Sequence, residues 1–210
     1  MSRFVDIELF TQSLKTEVEK LFITDFSGHD MLHTVRVFNN ARKIQSLCGG
    51  DLYLIALGAF LHDADDKKLF PDNMNNENAR AIMYKLDVAS EDIASVVEII
   101  NSVSFSAGKT PNTLEAEIVQ DADRLDALGA IGIARCFSFG AVHGRPIYNE
   151  CDFSDNNTQV SNSGVAHFYE KLLKLKAMMN TEYGLKEAQK RTDFLESYLK
   201  QLVYEIKSDK

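Results

Sequence analysis

Three places in this chain hold residue types that could do chemistry. His33 stands in the stretch His33-Thr-Val-Arg36-Val, the pair His62-Asp63 closes the uncharged run Leu52 to Leu61, and Asp121-Ala-Asp123-Arg124-Leu125-Asp126 forms an acidic segment further on. Imidazoles and carboxylates converging from separate helices are the ligands of a mononuclear metal site that keeps open positions for water and substrate. Burying Asp63 directly behind an apolar run would be costly for an unpaired carboxylate, and a divalent cation is the economical partner. Residues two apart on a helix point about 200° apart, so Asp121 and Asp123 cannot both face one ion, whereas Asp123 and Asp126 share a face.

The elements that must position these residues read as helices. Apolar residues recur at three- and four-residue intervals, as in Phe4, Ile7, Phe10 and Leu14, and proline is confined to Pro71, Pro111 and Pro146. The pattern predicts helices over about 4–23, 30–47, 51–63, 75–86, 90–103, 113–128, 130–142, 163–179 and 182–207. Gly49-Gly50 can end one helix, Asp51 can cap the next, and Ser90-Glu91-Asp92 looks like a helix start. The stretch from about His143 to Asn162 is rich in Asn, Asp, Ser and Gly without periodicity and is expected to be a lid or a long loop. No repeat or linker interrupts the chain, so one all-α domain over 1–210 is expected, with the helices of about 163–207 belonging to it.

Composition narrows the function classes. With 210 residues, 45% hydrophobic and 26% charged, the chain is ordinary globular protein and long enough to withdraw roughly 70% of its unfolded surface from water. A net charge of -8 repels phosphate backbones and argues against a nucleic-acid partner. The run Leu52 to Leu61 is about half the length that spans a bilayer, which argues against a membrane partner. Acids in the first residues stand where a signal peptide would be basic and then apolar, so the mature chain is expected to begin there. Cys48, Cys136 and Cys151 are odd in number and lack Cys-x-x-Cys spacing, which fits a reducing cytoplasm. The apolar rows Leu172, Leu175 and Met179, and Phe194, Tyr198 and Leu199, can pack internally or form a two-fold interface, so a homodimer is an open expectation.

The ordered set His33, then Phe60-Leu-His62-Asp63, then Asp121-Ala-Asp-Arg-Leu-Asp-Ala-Leu-Gly resembles the HD-domain phosphohydrolase superfamily over about residues 25–145. His29-Asp30 is a second His-Asp pair, but His62-Asp63 has a histidine one helical hairpin upstream and an Asp-rich helix downstream, and is taken as the signature. The resemblance implies a compact multi-helix bundle and assigns His33, His62, Asp63 and Asp123 as metal ligands, with Asp121 as the alternative and Asp126 behind them. Members with two metals carry further histidines between the pair and the last aspartate. None lies between Asp63 and Asp123 here, so one divalent ion is expected, Mn²⁺ first, with Mg²⁺, Co²⁺, Ni²⁺, Fe²⁺ and Zn²⁺ as alternatives.

Such a site implies hydrolysis of a phosphate ester or anhydride by a metal-bound water. Asp66 falls where similar nucleotide hydrolases place the acid that orients the water or takes its proton, unless it is a solvated member of the run Asp63 to Lys68. Arg36, one turn after His33, is a candidate to bind phosphate or to pair with a site aspartate. Lys67, Arg124 and Arg145 are further candidate cations for an anionic substrate, and Arg135 a more distant one. Gly28-His-Asp-x-x-His33 at the front and Asp121 to Arg135 at the back look like a small stand-alone bacterial group. Some of its members split nucleoside triphosphates into monophosphate and pyrophosphate. Similar scaffolds are 5'-nucleotidases or hydrolyse guanosine tetraphosphate, and a nucleotide sensor with little turnover is the reading of another class.

Overall fold

Polar residues at the edges of apolar stretches decide where the helices of this protein begin. Asp6 accepts hydrogen bonds from the Glu8 and Leu9 amides at 3.1 and 3.2 Å and opens α1 (Ile7–Glu19). Asp51 does the same for α3 (Leu52–Leu61) through the Tyr53 amide at 2.9 Å, as its sequence position predicts. Before it, α2 (Met31–Cys48) ends on Gly49 at φ +83°, a left-handed backbone that glycine adopts without strain.

The computed structural model describes residues 6–22, 31–67, 69–103, 110–153 and 162–207. His29-Asp30 and most of the expected loop beyond residue 153 lie outside these residues. Among the described residues there are nine α-helices, two 3₁₀ segments and no strand, so the chain is all-α as the periodicity predicts. It divides into two compact units, 1–123 and 124–210, with the boundary inside α6 (Leu114–Asp126).

In the first unit α3 is the central element. Every residue from Ile55 to Leu61 is buried, the signature of a helix surrounded on all sides rather than lying on a surface. It packs against α2, α1 and α5 (Ser90–Val103). Gly58 permits the close approach of α5, because a Cβ there would come within 2.6 Å of the Ile99 side chain. The α6 helix is tied in by polar contacts: Asn40 of α2 donates to the Ala122 carbonyl at 3.3 Å, and Gln120 donates to the Ser102 carbonyl at 2.6 Å. Asn75 and Asn76 both take left-handed backbone, so α4 (Glu77–Lys85) starts two residues later than the apolar pattern alone predicts.

The second unit contains α7 (Gly129–Val142), α8 (Gly164–Glu170) and α9 (Glu182–Lys207) around a core of Phe168, Leu172, Leu175, Leu195 and Leu199. Phe137 and Tyr198 add aromatic contacts to Phe168 at 5.7 and 6.0 Å between ring centroids. Gly129 begins α7 at φ +70°, and a Cβ on Gly132 would strike the Ala127 carbonyl at 2.2 Å, so these glycines allow the sharp turn after α6. The helix expected over 163–179 is two elements. After α8 the chain runs as a 3₁₀ segment over Leu172–Met178, whose three-residue repeat keeps Leu172 and Leu175 together on the buried side.

Candidate metal centre

The third residue of α2 is His33, whose side chain is 1% exposed. His62 occupies the C-terminal cap of α3, held with its ring Nδ1 against the Ala59 carbonyl at 2.9 Å. Nδ1–H donates in that contact, so the other nitrogen, Nε2, is directed to its neighbours. The Nε2 atoms of His33 and His62 lie 3.2 Å apart. Asp63 is in the turn that follows α3, and its Oδ2 is 3.4 Å from each of them. Asp123 of α6 brings Oδ1 to 3.5 Å from His33 and 3.8 Å from His62.

One ligand atom each of His33, His62 and Asp123 lies within 4.8 Å of the others, a group that could hold a metal ion, and Asp63 stands beside the two imidazoles. Contacts of 3.4 to 3.8 Å exceed the length that N–H···O bonds prefer. Donors each about 2.0–2.2 Å from one ion, at tetrahedral to octahedral angles, stand about 2.8–3.6 Å apart. The set of two imidazoles and two carboxylates suits a divalent transition metal. Exposure rises around the cluster, from 1% and 2% at His33 and His62 to 15% at Asp63 and 30% at Asp123, so the carboxylate side is the open one. Burial pushes the His62 imidazole down, but the carboxylates of Asp63 and Asp123 outweigh it and raise its pKa to about 9.

The other residues singled out in the sequence have varied surroundings. Arg36 is half-buried one turn beyond His33 on α2. Asp66 is half-buried one turn beyond Asp63, its amide donating to the Asp63 carbonyl at 3.1 Å. Asp121 is fully buried in α6. The ammonium of Lys67 donates to the carbonyls of Pro71 and Asn73 and braces the loop before α4. Arg124 is buried and donates to the Met178 carbonyl, while Arg135 pairs with Asp126 at 2.7 Å. Arg145 rests over the Phe139 ring at 5.7 Å, whose face His143 also covers in a stack at 3.9 Å. Sequence reasoning passed over Asp65 and Asn40. The first looks like one acid in a charged run and the second like a surface polar residue, and both act on backbone groups far away in sequence.

The family model described as HD domain matches residues 31–128, the span that carries all four residues of the cluster. The protein YpgQ of Bacillus subtilis is 34% identical over 201 residues, 93% of each chain. The chain belongs to the HD domain family. Among solved structures, an HD-superfamily hydrolase from Bacillus thuringiensis is 35% identical with a TM-score of 0.75, covering 95% of this chain and 97% of that one. YpgQ in complex with ADP is 33% identical with a TM-score of 0.80, covering 97% of this chain and 98% of that one. With its His/Asp cluster and these neighbours, this HD protein is a metal-dependent phosphohydrolase.

Proposed function

We propose that this HD protein hydrolyses nucleotides, converting a nucleoside triphosphate to the monophosphate and pyrophosphate. His33, His62, Asp63 and Asp123 together hold one divalent ion, Mn²⁺ ahead of the other candidates. The observation that carries the reading is the pair of buried imidazoles 3.2 Å apart, with carboxylate oxygens of Asp63 and Asp123 3.4 to 3.8 Å from them on the more open side. Support for a nucleotide comes from YpgQ, which has been crystallised with ADP.

A divalent ion bound there lowers the pKa of water in its coordination sphere and draws charge from a phosphoryl oxygen. The chain's own residues supply the rest. The Ala59 carbonyl fixes the His62 tautomer so that Nε2 stays available to the ion. Asp66, one turn beyond Asp63, orients the attacking water or takes its proton. Arg36, one turn beyond His33, presents a planar fork to phosphate oxygens and offsets the repulsion that a chain of net charge -8 exerts on an anion. Lys67 contributes to substrate binding only by leaving the backbone carbonyls that now hold it.

The test is an incubation of metal-reconstituted protein with nucleoside mono-, di- and triphosphates and guanosine tetraphosphate, with chromatographic identification of every product. Monophosphate plus pyrophosphate is the expected outcome. Nucleoside plus phosphate from monophosphates moves the protein to the 5'-nucleotidase reaction, and pyrophosphate released from guanosine tetraphosphate moves it to that substrate. Metal-loaded protein that binds nucleotides without turning them over is a sensor, which contradicts the proposal.

A further inference from the structure

Asp65 has no part in the chemistry above, yet its carboxylate accepts three hydrogen bonds. Asn73 Nδ2 and the Asn78 amide donate to Oδ1, each at 2.9 Å, and the Ala79 amide donates to Oδ2 at 3.0 Å. Asn78 and Ala79 lie in the first turn of α4, where amides have no partner inside the helix. The residue at the start of that helix, Asn76, is left-handed at φ 57° and makes no capping bond with its side chain. Asp65 therefore caps α4 from the turn that follows His62-Asp63. A second tie runs alongside, from Asn78 Nδ2 to the Ala64 carbonyl at 2.8 Å.

The anchor at the other end of this clamp is firm. Ala79, Ile82 and Met83 bury the inner face of α4, and Lys85 at its end pairs with Glu17 of α1 at 2.7 Å. By contrast, the segment that carries Asp63 and Asp66 has left regular helix. Its backbone is held by the single-turn contacts Ala64 to Leu61 and Asp66 to Asp63, both at 3.1 Å, and by the Leu69 and Phe70 amides, which donate to the Asp66 carbonyl at 2.9 and 2.8 Å. The direction in which the Asp63 side chain leaves the backbone follows the path of this turn, so a contact that fixes the turn fixes where the carboxylate starts from.

We propose that Asp65 is a positioning residue of the metal centre: by clamping the turn 63–66 onto the first turn of α4, it sets the direction from which the Asp63 carboxylate meets His33 and His62. The clamp acts through Asp63, so it rests on the metal-centre reading. Groups that orient metal ligands from behind typically change affinity by about 10–100-fold when removed.

The experiment is calorimetric titration of Mn²⁺ into the wild-type protein, Asp65→Asn and Asn73→Ala, with thermal unfolding in chelator and steady-state kinetics on the same preparations. Asp65→Asn keeps one acceptor oxygen but turns an NH₂ toward an amide donor. Its Mn²⁺ affinity should fall roughly tenfold or more, with kcat reduced and KM within about twofold of wild type. Asn73→Ala removes one of the three bonds and should weaken Mn²⁺ by roughly two- to threefold. If both variants unfold at lower temperature while the folded proteins bind Mn²⁺ as wild type does, Asp65 only caps α4 and the proposal is overturned. If Asp65→Asn fails to fold, Asn73→Ala decides, and an unchanged affinity there overturns it. A wild-type protein that binds no Mn²⁺ refutes the metal-centre reading itself, which the wild-type titration separates from failure of the clamp.

Discussion

Two regions of this molecule gather buried and half-buried charge, and they do so at different spacings. At the metal centre of the first unit, carboxylate oxygens stand 3.4 to 3.8 Å from imidazole nitrogens, too far for good hydrogen bonds and suitable for a cation between them. In the second unit, two guanidinium groups are closed onto their partners. Arg135 meets the buried Asp126 at 2.7 Å, and Arg191 donates to the Leu125 carbonyl at 2.7 Å and to Glu187 at 3.0 Å. Charge closed to hydrogen-bond length serves the fold, whereas charge held slightly apart leaves room for a cation.

The largest test of that contrast is Asp63→Ala. Nucleotide turnover should fall by about 10³-fold or more, a loss of about 4 kcal/mol of barrier lowering, while far-UV circular dichroism stays that of a helical protein. Turnover retained by this variant after metal removal would place the chemistry elsewhere.

The pH dependence of stability sharpens the same contrast. His62 has its folded-state pKa raised from 6.5 to about 9, so the folded protein holds a proton that the unfolded chain releases earlier. Its contribution, on the order of 3 kcal/mol, is full below pH 6.5, declines as pH rises from there and is gone above about 9. Metal-free protein should therefore unfold more easily at pH 9 than at pH 6 in denaturant titrations. Saturating Mn²⁺ should flatten this slope, because the ion displaces that proton, and its apparent affinity should rise with pH over the same range. Equal slopes with and without Mn²⁺ would separate the His62 proton from the metal.

A smaller effect is expected from the closed pair. Arg135→Ala leaves the buried Asp126 carboxylate without its guanidinium and should cost about 2–3 kcal/mol in chemical denaturation. The Mn²⁺ affinity of the folded variant should change far less than that of Asp63→Ala. A matching loss of affinity would erase the distinction between the two regions.

Much of this was readable in the sequence. Helical periodicity and the near absence of proline predict the all-α chain, and the capping role of Asp51 follows from its place after Gly49-Gly50. The grouping of His33, His62, Asp63 and Asp123 was readable only through the resemblance of their order to the HD family, since spacing alone does not bring a turn residue and three helices together. The break within 163–179 was not readable, since Leu172 and Leu175 satisfy an α-helical and a 3₁₀ spacing equally well. Nor does residue type say whether a cation is reserved for substrate. Arg124 and Lys67 look available in the sequence, and the structure has them donating to the backbone carbonyls of Met178 and of Pro71 and Asn73. Asp65 was hidden for the same reason: its partners include amides of α4, and a backbone amide leaves no mark in a sequence.

The central claim is that four side chains share one ion. Crystals grown with Mn²⁺ and measured on both sides of the manganese absorption edge test it directly. One anomalous peak per chain is expected, about 2.0–2.3 Å from His33 Nε2, His62 Nε2, Asp63 Oδ2 and Asp123 Oδ1. A fully occupied peak whose coordination excludes His62 or Asp63, or no peak at this place in crystals that bind manganese elsewhere, would contradict it.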